Sequence, residues 1–388
     1  MFMRPSIVFL TTTITTTLSL AAHCAENERP RARELGIAPG VLAPGPLNAI
    51  TDVAGVAVGH ATLVDGKSIV TGATAIVPHP GNVFQEKVPA AVVVGNGFGK
   101  LVGSTQVEEL GELETPILLT NTLNVWEAAA ALAENALAAP GNEAVRSVNP
   151  LVGETNDGWL SDIRKRPLRA EYFRNALHVA ATGLVAEGCV GAGAGTMAFG
   201  FKGGIGTSSR IVPLASDKFC VGALVQTNFD GRLTIDGVPV WRDVKPAPNT
   251  ADKSPAKHGS CMIVVATDAP LDARQLKRLA RRALVGMGRT GANFSNGSGD
   301  YVIAFSTAKS LRITYEPRAA IAARQILYDA AITPLFEAAA DATEEAIYNS
   351  LLRATTTRGR DGRVAEALPI EKLKETLAKY GRGKGNRQ

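Results

Sequence analysis

Apolar positions along this chain recur in two rhythms, one suited to strands and one to helices. Continuous apolar runs at 90–94 and 116–120 predict strands buried on both faces, and 53–58 and 73–77 predict two more. The Ala-rich stretch 125–139, with spaced leucines, predicts a helix lying close on a sheet. Residues 167–183 and 341–353 predict further helices, the latter burying Ala342, Ala346, Leu351 and Leu352. Segments 221–229 and 232–241 flank Asp230-Gly231, a two-residue hairpin signal. After an apolar run at 262–266, Asp272 and Gln275 form an N-cap and N3 pair. The helix they open carries Leu276, Leu279, Ala280, Ala283, Leu284 and Met287 on one stripe. A strand-like run follows at 301–305, so the pattern is mixed α and β.

Glycines crowd residues 188–206, and Gly191-Ala192-Gly193-Ala194-Gly195 invites comparison with a dinucleotide loop. Such a loop opens a helix and is followed by an acidic residue about 20 positions on. Here Thr196 to Phe201 reads as extended, so the glycines serve turns and close strand approach, and no nucleotide is expected.

Composition adds exclusions. At 45% hydrophobic and 20% charged residues the chain is globular, with enough length for a large core. Part of the net charge of +5 lies in the Gly-rich basic tail 379–387, which reads as a frayed terminus rather than a nucleic-acid site. Cys24, Cys189, Cys220 and Cys261 show no CxxC spacing, and the five histidines none of the HExxH kind. Neither a disulfide framework nor a metal or other cofactor is expected. Residues 1–25 read as a secretory signal, with Arg4 at its start and an apolar stretch at 7–22 that threonines interrupt. That stretch is too polar for a membrane span of ~20 apolar residues, so a soluble, periplasmic protein is expected.

The run 245–257, rich in Pro, Ala and Lys, stops at Gly259, and the apolar run begins one residue after Ser260. Attack of Ser260 Oγ on the Gly259 carbonyl, an N-to-O acyl shift and hydrolysis would leave Ser260 as a new N-terminus. Its free α-amine, with an ordinary pKa near ~8, could serve as base for its own hydroxyl. Gly259 presents no Cβ to that attack. On spacing alone an ordinary Gly-Ser turn fits as well.

The wording around this junction goes further. Ser260 to Asp268, Ala269-Pro270-Leu271, Gly288-Arg289-Thr290-Gly291 and Asn296-Gly297-Ser298-Gly299-Asp300 resemble the self-processing L-aminopeptidase/D-amidase and β-peptidyl aminopeptidase family. The resemblance extends upstream through Thr51 to Val56, Gly153 to Gly158, Lys202 to Thr207 and Leu224 to Phe229. It implies a four-layer α/β/β/α sandwich, similar to N-terminal-nucleophile hydrolases but differently connected. It also implies an α chain of residues 26–259, a β chain of residues 260–388 forming one domain with it, and homo-oligomers, commonly tetramers. Short peptides, β-peptides or amino-acid amides would be the substrates.

Candidate site residues follow from the same resemblance, each beside a plainer reading. Asn228, near a strand end, would be an oxyanion donor, or else a turn-flanking Asn satisfied by its backbone. Ser298 and Asp300 fall on one face of an extended segment and would form a relay beside the Ser260 amine; the alternative is a turn cap. Glu154 would bind the substrate ammonium, with Trp159 as a pocket wall, while Asp157 fits an acidic surface turn nearly as well. The expected activity is removal of N-terminal residues, β-amino acids favoured, through an acyl-enzyme on Ser260. An ornithine-type N-acetyltransferase of the same fold and a non-catalytic periplasmic binding protein are the rival expectations.

Overall fold

The computed structural model describes residues 29–246, 259–317 and 319–383. Two sheets carry the chain. The first has the order β1 (Ala57–Val64), β2 (Val70–Val77), β6 (Ile117–Asn121), β7 (Leu151–Thr155) and β4 (Leu101–Val102). The second runs β10 (Ile205–Leu214), β11 (Asp217–Asn228), β12 (Ser260–Thr267), β13 (Gly299–Ser306), β3 (Glu86–Gly97) and β14 (Ile313–Thr314), with β5 (Glu112–Leu113) also on β3. A small hairpin, β8 (Met197–Ala198) and β9 (Phe201–Lys202), sits apart. The helices are α1 (Ser104–Leu110), α2 (Val125–Leu137), α3 (Ala170–His178), α4 (Ala273–Arg289), α5 (Thr333–Leu352) and α6 (Ile370–Lys379).

Alternation along the strands separates the layers. In β12, Met262, Val264 and Ala266 meet Ile76, Ile117 and Leu119 of the first sheet. Cys261, Ile263 and Val265 point the other way, into a core shared with Leu276, Leu279 and Ala280 of α4 and with α5. Ala128 and Leu132 of α2 and Phe173 of α3 cover the outer face of the first sheet. The result is the α/β/β/α sandwich, with β12 buried on both faces as its continuous apolar run predicts.

β12 pairs antiparallel with β11 and parallel with β13, and α4 makes the crossover between the parallel pair. The α4 cap is as expected: the Asp272 carboxylate accepts from Gln275 N–H at 2.7 Å. α5 begins two turns earlier than its apolar pattern suggests, with Pro334 in its first turn. It is buried almost all round because Ala32, Leu35 and Ile37 and the α6 residues Leu373 and Leu377 join the same core.

Three expectations need correction. Residues 53–56 form a turn around Gly55, which has φ +91°, and the strand starts at Ala57. The second helix is shorter than 167–183, spanning Ala170–His178. The hairpin about Asp230-Gly231 does not form, because β11 already has β10 on one edge and β12 on the other. Residues 232–241 instead leave the sheet, and Leu233, Ile235, Val238 and Val240 pack into the core beside α5. The leader 1–25 and most of the 245–257 run lie outside the described residues.

Candidate active site

The sheet register alone brings the central pair together. Asn228, last residue of β11, is the direct partner of Ser260, first residue of β12. Asn228 Nδ2 stands 3.4 Å from Ser260 Oγ and donates to the Asn156 carbonyl at 3.0 Å. Its Oδ1 accepts from Met197 N–H at 3.0 Å, which fixes the amide so that the N–H side faces the serine. Position, rather than the expected hairpin, holds this side chain.

On the opposite edge of β12, Ser260 pairs with Gly299, and Gly299 N–H donates to the Gly259 carbonyl oxygen at 3.2 Å. The carbonyl that the expected self-cleavage would attack therefore already has a backbone donor. A Cβ on residue 259 would sit 3.0 Å from Ser298 Oγ and 3.2 Å from Phe229 Cα, so any larger residue must push these neighbours by a few tenths of an ångström. Ser298 Oγ donates to Asp300 Oδ1 at 2.8 Å, the two side chains sharing a face as alternation predicts. Asp300 shares the helix-side face with Val302 and Ala304, whereas Ser260 shares the inter-sheet face with Met262. The carboxylate thus reaches the surroundings of Ser260 through Ser298 rather than directly. Burial pushes the Asp300 carboxyl up to about 6, against hydrogen bonds from Ser298 and the Cys261 backbone, and its Oδ2 has no partner among the described residues.

Across the seam, Glu154 rises from β7 of the first sheet and is 3% exposed. Its Oε1 accepts from Lys100 N–H at 3.0 Å, and its Oε2 accepts from the Thr122 hydroxyl. Burial raises its carboxyl above the ordinary range, opposed by Thr122 and Lys100. Glu154 and Ser260 line one cavity of about 180 Å³ with Phe98, Lys100, Thr122, Asn156, Gly259 and Gly297. A nucleophile with an amide donor beside it and a buried carboxylate facing it suits attack on the carbonyl of an amine-bearing substrate.

Residues 48–365 match peptidase family S58. The chain belongs to that family.

This S58 chain is 40% identical over 388 residues to the β-peptidyl aminopeptidase BapA of Sphingosinicella microcystinivorans, covering 94% of this chain and 96% of that protein. A crystal structure of a Pyrococcus horikoshii protein matches with 48% identity and TM-score 0.84, over 91% of this chain and 100% of the other. The L-aminopeptidase D-Ala-esterase/amidase of Ochrobactrum anthropi, described as a prototype serine aminopeptidase and a new variant of the Ntn hydrolase fold, matches with 38% identity and TM-score 0.83. That match covers 91% of this chain and 99% of the other. The S58 chain shares that fold, and its chemistry is that of a serine-type aminopeptidase, a hydrolase.

Within the S58 site some expected residues take other places. Trp159 is not among the residues lining the cavity; its ring lies 5.6 Å from the Arg363 guanidinium, and its carbonyl accepts from Arg363 at 3.0 Å. Asp157 is no surface turn: it is buried, accepts from the Thr71 hydroxyl at 2.5 Å, and burial pushes its carboxyl up to about 7. Lys100 and Thr122 escape a reading of the sequence. Each follows a strand of a different sheet segment, and nothing local marks either as a neighbour of Glu154. The Gly299 donor is a backbone group, so no side chain could reveal it.

Proposed function

We propose that this S58 peptidase cuts itself once between Gly259 and Ser260 and then works as an aminopeptidase on short peptides, amides or esters with a free N-terminal amine, β-amino acids favoured. The observation that carries the reading is the shared cavity, with Ser260 Oγ beside the Asn228 amide and the buried Glu154 carboxylate opposite.

In the first step Ser260 Oγ bonds to the Gly259 carbonyl carbon as the C–N bond breaks, and Gly299 N–H supports the negative oxygen. The hydroxyl proton passes to the departing Ser260 nitrogen, which leaves as the free α-amine, and water then hydrolyses the ester to release the Gly259 carboxylate and the Ser260 hydroxyl. In the second, that amine takes the proton of Oγ as Oγ attacks the substrate carbonyl. Asn228 Nδ2 donates to the developing oxyanion, and Glu154 pairs with the substrate ammonium. The departing amine takes the proton, and water releases the acyl group. Ser298 and Asp300 position the Ser260 amine and stabilise its charged form.

The β-amino-acid preference rests on the likeness to BapA. The family match favours this reading over the N-acetyltransferase and the binding protein. Export to the periplasm rests on the leader-like residues 1–25, and a homo-oligomer, commonly a tetramer, on family resemblance. Intact-mass analysis and N-terminal sequencing of wild type beside Ser260→Ala test the core of the reading. Two wild-type chains, one beginning Ser-Cys-Met-Ile, and an uncut, inactive variant are expected, with hydrolysis of β-alanyl p-nitroanilide by the wild type. A folded, uncut wild-type chain would overturn it.

A further inference from the structure

The cavity holds one charged group that this chemistry leaves unused. Lys100 lies between β3 and β4, beyond Gly97-Phe98-Gly99, and its ammonium stands 3.8 Å from Glu154 Oε1. Two neutral donors, Lys100 N–H and the Thr122 hydroxyl, already hold the carboxylate and belong to fixed parts of the sheet region. The Lys100 side chain is different: it is 43% exposed against 3% for Glu154, and its gap to the oxygen exceeds hydrogen-bond reach. Among the described residues it is the cation within ion-pair distance of Glu154. The other titratable groups that feel the Glu154 charge, Tyr301 and Asp157, are both acids.

We propose that Lys100 is the resident counter-ion of Glu154, displaced by the substrate's own ammonium, and hence a specificity-determining residue. This rests on Glu154 being the ammonium anchor. A buried carboxylate facing no cation takes up a proton. Lys100 keeps Glu154 ionised while the site is empty, and its four-carbon stem lets the ammonium swing to water once a better-placed cation arrives. An N-acylated terminus brings no cation, leaves the Glu154–Lys100 pair standing, and is excluded.

The test is steady-state kinetics of the processed enzyme on β-alanyl p-nitroanilide across pH, with Lys100→Met, Lys100→Arg and Glu154→Gln. Lys100→Met should lower KM about two- to fivefold at pH 8 with kcat unchanged, the scale of a partly screened ion pair. It should also move the acid limb of kcat/KM to higher pH, because Glu154 then protonates more readily. Lys100→Arg should resemble wild type. If Lys100→Met leaves KM unchanged or higher at pH 8, or leaves the acid limb in place, the counter-ion proposal is overturned. Glu154→Gln separates the two ideas: an increase in KM of at least about tenfold supports the anchor, and an unchanged KM removes the anchor and this proposal with it.

Discussion

Asp300 carries a buried carboxyl with one oxygen unpartnered among the described residues, and its response to pH follows from that burial. Its folded pKa is pushed up to about 6 from an ordinary 3.8, so the folded protein binds this proton more tightly than the unfolded chain. Below 3.8 the group is neutral in both states and has no effect. As pH rises towards 6 the unfolded chain ionises first, so stability is lost over that window and stays lower above it. Asp300→Asn, which never ionises, should therefore raise Tm relative to wild type more at pH 8 than at pH 4. Asp300→Asn should also lose most of the activity at every pH, because no carboxylate then stabilises the charged Ser260 amine through Ser298. Calorimetry at the two pH values and a pH–rate profile check both halves; an equal Tm effect at both pH values would contradict the burial argument.

At the scale of elements, the start of β12 is the crowded point. Its first residue meets β11 on one side and β13 on the other, and the residue before it is held between Ser298 and Phe229. Gly259→Ala should slow self-cleavage, and Gly259→Val should leave most of the precursor uncut, read as the ratio of precursor to fragments on a gel over time. Cleavage of both at the wild-type rate would remove the steric account. This is also where the sequence speaks most clearly. The apolar run after Ser260 marks a doubly buried strand, and two-residue alternation places Ser298 with Asp300. Asn228 was legible as a strand-end amide, but the Asp230-Gly231 signal misleads, because a hairpin needs a free sheet edge and β11 has none. Lys100, Thr122 and Glu154 meet within the first sheet, at the ends of β4, β6 and β7, a pairing of segments far apart in the chain that no local pattern encodes.

Across the whole molecule, Glu345 of α5 ties distant segments to one buried charge. Its Oε2 lies 2.7 Å from Arg210 Nη2 of β10 and 3.0 Å from Arg33 Nη2, and its Oε1 accepts from Asn48 Nδ2 at 2.5 Å. Both Glu345 and Arg210 are fully buried. Removing the acid strands the guanidinium, so Glu345→Ala should cost about 3–5 kcal/mol in urea unfolding, and Arg210→Met added to it should recover much of that loss. A cost below about 1 kcal/mol, the range of an exposed pair, would show that water reaches the site.

The proposed nucleophile and ammonium anchor stand on different sheets, and the layer beneath them is tightly packed. A Cβ on Gly153, the neighbour of Glu154, would lie 2.7 Å from the Met262 sulfur, two residues beyond Ser260. The space between the sheets then acts as a calliper on the substrate: it measures the span from amine to carbonyl, the quantity that one backbone methylene changes. Under the proposed roles, the choice between α- and β-amino acids is made less by the walls of the cavity than by the thickness of the core that spaces its two jaws.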